Sequence, residues 1–306
     1  MGTPVTHTNP VRTGVGSLVP YVRLLRIHQW LKNGFVLAPL FFSGSFHDPA
    51  RIGLALGALA AFCLLSSAIY IFNDLCDLEA DRRHKRKRHR PIASGAVPIP
   101  TAWALVGVLL VATAGLIVTS GANPRVVAVL VVYLAINVGY SCGLKNISLV
   151  ELCLVASGFV LRLLAGGFAI DVPVTSWILI CTALVSLLMV IGKRRADLAQ
   201  ENDPQFQRVV LKKYDCAFLD RLLIMVGGST LVAYMLFCTS PYAHERYGDW
   251  IVATGAFVAL GIFRFIQIVT LEGGGDSPTM LVVGDRFMRW TLVSWVVVFA
   301  VIIYWR

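Results

Sequence analysis

Asn73, Asp77 and Asp81 recur at intervals of four residues, directly after the apolar run AFCLLSSAIYIF. On a helix such residues drift only about 40° per step, so all three line one face. Amide and carboxylate oxygens on one stripe are hard ligands. They suit Mg²⁺, which favours oxygen, keeps several waters and bridges protein carboxylates to phosphate groups. Zinc would ask for His or Cys pairs at shorter spacing, and no such pair stands there. The plainer reading is a solvated helix end whose acids pair with the basic block RRHKRKRHR at 82–90. Asp74, about 100° further round, is expected to brace the helix or a neighbouring cation. Lys85 lies one helical step beyond Asp81, where a cation would meet a phosphate held by the metal. Arg86 and Arg88 read as an orientation signal lying on anionic lipid.

The elements that must carry this row are apolar helices. Hydrophobic residues make up 57% of the 306 positions and charged residues 14%, with a mean hydropathy of +0.73. That composition excludes an ordinary soluble domain and predicts an all-α polytopic membrane protein. Nine spans are expected, at 34–46, 52–72, 101–120, 125–143, 149–169, 174–192, 217–239, 249–270 and 287–304. Residues 1–33 then form a cytoplasmic tail and amphipathic lead-in, and 34–306 a single transmembrane domain. Most of the 27 Lys and Arg fall in alternate connections, above all 82–90 and 193–221. The positive-inside rule puts those connections, and any site they serve, on the cytoplasmic side of an inner (plasma) membrane. The outer loops HDPAR, GANPR, IDVPVTS and PYAHERYGD are short and poor places for chemistry. A net charge of +10 could suggest nucleic acid, but the cations sit between spans rather than on a soluble face. Seven scattered cysteines form no CxxC pair, so neither a disulfide framework nor a zinc site is expected. No cleaved signal peptide is expected, and the opening MGTPVT fits the myristoylation pattern only loosely.

The row NDLCDLEAD, followed by RPIASG at 90–95, resembles the UbiA superfamily of intramembrane prenyltransferases. The likeness extends to YSCGLK near the fourth-to-fifth turn and covers almost the whole chain. It implies a UbiA-like helical bundle in which the row binds the magnesium–diphosphate of a donor. It also implies that Tyr140 and Lys145 belong to the same site. Typical aromatic prenyltransferases of the superfamily carry a second Asp-rich motif after the sixth span. Here that place reads MVIGKRRADLAQEND, where cations dominate; Asp197 and Glu201 stand as a weakened remnant, able or not to hold a second metal.

That departure, with RIHQWLKN (26–33), ELCLVASGFVLRLLAGG (151–167) and a Pro-containing GDR segment (278–286), is similar to one branch, the decaprenyl-phosphate phosphoribosyltransferases. The branch implies transfer of 5-phosphoribose from phosphoribosyl diphosphate (PRPP) to a polyprenyl phosphate, releasing diphosphate, for cell-envelope arabinan or a related glycoconjugate. Three anionic groups would then share one cavity, which calls for fixed cations. Lys32, Lys85, Arg90, Lys145, Arg162, Lys193 and Arg194 are the candidates. Asn73, Asp77 and Asp81 are expected to hold metal, with Asp77 and Asp81 the catalytic pair; Lys85, Lys193 and Arg194 are expected on PRPP phosphates. Lys32 and Asn33 are placed to greet the lipid phosphate, although Lys32 could equally snorkel to the interface, and Trp30 reads as an interfacial anchor. Arg162, inside a span, should face a polar cavity or an acid, because a charge there costs at least ~2.5–3.5 kcal/mol. Two other readings stand beside this one: prenyl transfer to an aromatic acceptor, and a transporter or lipid-binding scaffold, for which no internal repeat is visible. Acceptor chain length stays open, as does a homo-oligomeric state.

Overall fold

A computed structural model describes residues 18–200, 209–273, 281 and 284–305. Residues 1–17 of the expected N-terminal tail, Glu201 and most of the GDR segment lie outside those residues. Every regular element among the described residues is helical, with no strand among them. In chain order the α-helices are α1 (Val19–Leu25), α2 (Ala38–Phe42), α3 (Pro49–Cys76), α4 (Leu78–Arg83), α5 (Ile99–Thr119), α6 (Pro124–Ser141), α7 (Val150–Ala169), α8 (Ser176–Gln200), α9 (Cys216–Cys238), α10 (Pro241–Tyr247), α11 (Gly255–Thr270) and α12 (Arg286–Tyr304). Eight of these regions are long and apolar enough to cross a membrane, the seventh counted from Asp249 to Thr270. The chain is therefore a multi-pass membrane protein.

The expected span at 34–46 is not a single α-helix: a 3₁₀ segment, Ile27–Leu37, runs into the five-residue α2, and the chain turns at Gly44 with φ of 72°. The run lies along α3 from end to end, with Arg26 on Asp74, Asn33 on Ser66 and Ser45 on Arg51. It packs on α3 and α7. Val36 is fully buried there, and a Cβ at Gly166 of α7 would sit 1.9 Å from the Val36 carbonyl oxygen. Only glycine allows that approach.

The outer loops quoted above are helix starts. Asp48 accepts from the Ala50 and Arg51 amides ahead of Pro49, and Asn123 from Arg125 ahead of Pro124. Ser240 accepts from Ala243 in the same way, ahead of Pro241. A capping oxygen followed by proline satisfies the orphan amides of a first turn.

Side chains meet in two main cores. Phe62, Leu65, Val129, Tyr133 and Ala165 join α3, α6 and α7. Leu188, Ile191, Leu219, Leu223, Phe265 and Val269 join α8, α9 and α11. Large apolar residues such as Val111, Val131, Ile224 and Trp290 are exposed on the outside, as a hydrocarbon solvent permits. The central α3 is the most enclosed span and delivers the acidic row at its C-terminal end.

Candidate active site

Helix α3 stops at Cys76, and Asp77 links it to α4 with φ −92° and ψ 5°. The four-residue ladder nonetheless continues: the Asp77 amide donates to the Asn73 carbonyl at 2.9 Å, and that of Asp81 to Asp77 at 2.8 Å. The Asn73 amide group donates to Asp77 Oδ2 at 3.2 Å. Two contacts arrive from the end of α6, 68 residues on. Ser141 donates to Asn73 Oδ1 at 3.1 Å, and the Lys145 ammonium pairs with Asp77. The acidic row and the YSCGLK element thus meet in space. The Lys145–Asp77 pair keeps about a quarter of each side chain exposed, so its partners can exchange with solvent or ligand.

The other acids of the row are engaged by arginine. Asp74, buried, accepts from Arg26 at 2.6 Å and from Arg90 at 3.0 Å, in agreement with its expected bracing role. Arg26 reaches it from a left-handed residue (φ 51°) with its guanidinium 5.2 Å from the Tyr70 ring centroid. Asp81, also buried, accepts from Arg90 at 2.6 Å. Burial pushes its carboxyl above the ordinary range, and Arg90 opposes that shift. Arg90, expected on substrate, thus clips the RPIASG turn to the row. Lys85 is corrected: α4 ends at Arg83, His84 is extended (ψ 132°), and Lys85 lies exposed in the following turn rather than on the row's helix.

Arg162 is buried inside its span, and among the described residues its donors meet neutral groups rather than an acid. Its Nε donates to Asn33 Oδ1, Nη1 to the Gly158 carbonyl and Nη2 to the Tyr133 hydroxyl, each at 2.7 Å. The rings of Tyr133, Phe159 and Phe62 surround it at 4.9, 5.6 and 5.7 Å. Neutral dipoles and ring faces satisfy the donors without cancelling the charge. Asn33 is likewise buried, donating to Ser66 at 3.2 Å, so it locks the 27–37 segment to α3 instead of meeting a lipid phosphate. The Trp30 indole donates to Ser67. Half-buried Lys32 stays beside this group, close to Arg162 and Arg26.

Arg194 is the largest correction. It is buried and makes a two-pronged bond to Glu151, Nε to Oε1 and Nη2 to Oε2, both at 2.7 Å. Its Nη1 also donates to Asp197 at 3.0 Å, and Nη2 to the Tyr140 hydroxyl at 3.3 Å. A guanidinium so enclosed has no face left for PRPP. Glu151 was not expected in this role; a buried acid in an apolar helix, which demands a cation, was the available signal. Lys193, its neighbour, is half-buried. Tyr133 and Ser141 were missed as well, because neither carries charge.

The donor set fits a hard divalent cation. Asn73 and Asp77 offer adjacent oxygens with an ammonium already drawn to them, and Asp81 follows in the row. Among the described residues no three His, Cys, Asp or Glu side chains converge on one point. Mg²⁺ asks for one or two carboxylates and completes its shell with water and phosphate.

A profile of the UbiA prenyltransferase family matches residues 35–292. Among curated proteins, the decaprenyl-phosphate phosphoribosyltransferase of Mycolicibacterium smegmatis is 33% identical, covering 90% of this chain and 89% of its own length. The one from Corynebacterium glutamicum is 32% identical, covering 92% and 86%. The backbone superposes on a UbiA homolog from Archaeoglobus fulgidus bound to DMAPP and Mg²⁺ with a TM-score of 0.66 at 17% identity, over 93% of this chain and 99% of that one. The homolog has also been solved with Cd²⁺, at a TM-score of 0.65 and 15% identity over 93% and 99% of the two chains. These two likenesses show a shared fold.

Proposed function

The chain belongs to the UbiA prenyltransferase family and is one of its membrane-embedded transferases, and from that premise we propose that it transfers 5-phosphoribose from PRPP to a polyprenyl phosphate. The product is a polyprenyl-phosphoryl-5-phosphoribose, a precursor for envelope arabinan or a related glycoconjugate. The site faces the cytoplasm of an inner-membrane protein, the side on which the cation-rich connections fall.

The observation that carries this reading is the charge balance around the row. Asp74, Asp77 and Asp81 are already matched by Arg26, Arg90 and Lys145. Arg162 stands in addition, with no carboxylate partner among the described residues, beside a second cation, Lys32. Such a surplus in a membrane interior is costly unless anions come to it. Substrates bearing three phosphate groups supply them. An Asp-rich second metal site, as aromatic prenyl transfer would use, finds little support, since Asp197 is held by Arg194.

Asn73 and Asp77, with Asp81, would hold Mg²⁺, which when bound polarises the leaving diphosphate. Lys145, displaced from Asp77, turns to a diphosphate oxygen. Lys32 sits where the acceptor's phosphate arrives from the lipid. That phosphate is anionic at neutral pH, so no side chain has to remove its proton, and the residues act by position and charge. The anomeric C1–O bond to diphosphate breaks, its electron pair leaving with the diphosphate, and a lipid phosphate oxygen bonds to C1 from the opposite face. The anomer is inverted.

The test is purified protein in detergent with labelled PRPP, Mg²⁺ and a short polyprenyl phosphate, scored by label entering the organic phase. Labelled lipid is expected from the wild type and not without Mg²⁺. Turnover of a prenyl diphosphate with an aromatic acid, and none with PRPP, would overturn the reading.

A further inference from the structure

The turn that carries Lys145 is held in place from the other half of the molecule. Between α6 and α7 the chain passes through Gly143 at φ 145° and Leu149 at φ 65° and ψ −44°, the latter a γ-turn geometry that a leucine adopts only when its surroundings impose it. The Leu149 amide donates to the Tyr214 hydroxyl at 2.7 Å, 65 residues away. Two residues further on, Glu151 is clamped by Arg194 of α8. The same guanidinium reaches the Tyr140 hydroxyl, one residue before Ser141, which touches Asn73. Both ends of the turn 140–151 are thereby fixed by α8 and by the approach to α9.

A sealed ion pair does little for stability over a well-packed apolar pair of the same volume. What Glu151 and Arg194 do supply is direction. The Tyr140 oxygen accepts from Nη2, and its own hydrogen is left to point away from Arg194. We propose that Glu151, Arg194 and Tyr214 are positioning residues, a brace that sets Tyr140 and Lys145 against the acidic row. They do not touch substrate; they act through the turn. This rests on the site assigned under the proposed function, in which Tyr140 and Lys145 meet the diphosphate.

The test is a double-mutant cycle with Glu151→Gln and Tyr140→Phe, followed by kcat, KM for PRPP and thermal unfolding. Glu151→Gln keeps the shape of the side chain and is expected to raise KM about tenfold, the equivalent of one charge-assisted hydrogen bond, with kcat within twofold. In the Tyr140→Phe background the same change should add less than twofold. Tyr214→Phe serves as the second variant if Glu151→Gln does not fold: it leaves the Leu149 amide unpartnered and is expected to raise KM about three- to tenfold with kcat held. A merely structural pair would instead lower the melting temperature and active fraction with KM unchanged, equally in both backgrounds. That result overturns the proposal. Incorporating 3-fluorotyrosine at Tyr140 separates this from the functional reading. Its ¹⁹F resonance should move on Glu151→Gln in the absence of any substrate; an unmoved resonance refutes the brace, whereas a wild type inert toward PRPP refutes the function.

Discussion

Two charged clusters stand at the ends of the two helical cores, and they are built on opposite plans. At the end of α3, Asp77 and Lys145 stay about a quarter exposed. Between α7 and α8, Glu151 and Arg194 are 0% and 3% exposed, and every prong of the guanidinium is occupied. A half-open pair can trade partners when a ligand arrives; a sealed pair can only hold its own helices. Charge at the mouth of a membrane bundle is therefore not one signal. Exposure separates the group that binds from the group that braces.

The contrast can be broken most severely at the open cluster. Asp77→Ala should lower turnover about 10²–10³-fold, the range for removing one preorganised electrostatic group from an active site, while the melting temperature in detergent stays within a few degrees. At the sealed cluster the balance reverses. Glu151→Ala strips buried Arg194 of its two-pronged partner and leaves only the half-buried Asp197 against it, and should cost about 3–5 kcal/mol of stability, seen as loss of folded protein by size-exclusion and thermal unfolding. Gly166→Ala drives a methyl into the Val36 carbonyl and should cost about 1–3 kcal/mol, read by the same melt.

Lys32 sharpens the comparison through its charge. Lys32→Met should raise KM for the polyprenyl phosphate about tenfold, the loss of one charge-assisted hydrogen bond, and Lys32→Arg, which stays charged, should recover most of it. The smallest effect belongs to an exposed pair. Arg82 and Glu79 meet at 2.9 Å with both side chains largely in solvent, so Glu79→Ala should shift stability by less than about 0.5 kcal/mol.

Much of this arrangement was legible in the residues. The four-residue spacing of Asn73, Asp77 and Asp81 survives as backbone bonds even though α3 ends between them. The bracing role of Asp74 follows from the same helical geometry. What could not be read were partnerships across the chain. Glu151 and Arg194 stand 43 residues apart, and a lone basic run in a connection looks the same whether its cation binds substrate or a buried acid. Lys85 was misplaced because helix period was carried one turn past the point where His84 becomes extended. The 34–46 stretch was apolar enough for a span, but its 3₁₀ lead-in and the turn at Gly44 leave no trace in hydropathy.

The most direct test is calorimetric titration of PRPP, with and without Mg²⁺, into folded wild type, Asp77→Asn and Arg194→Lys. The account predicts that Asp77→Asn abolishes Mg²⁺-dependent binding, whereas Arg194→Lys retains it within about tenfold, the loss of one charged hydrogen bond. Binding that survives in Asp77→Asn and disappears in folded Arg194→Lys would contradict it, and would make the sealed cluster the site.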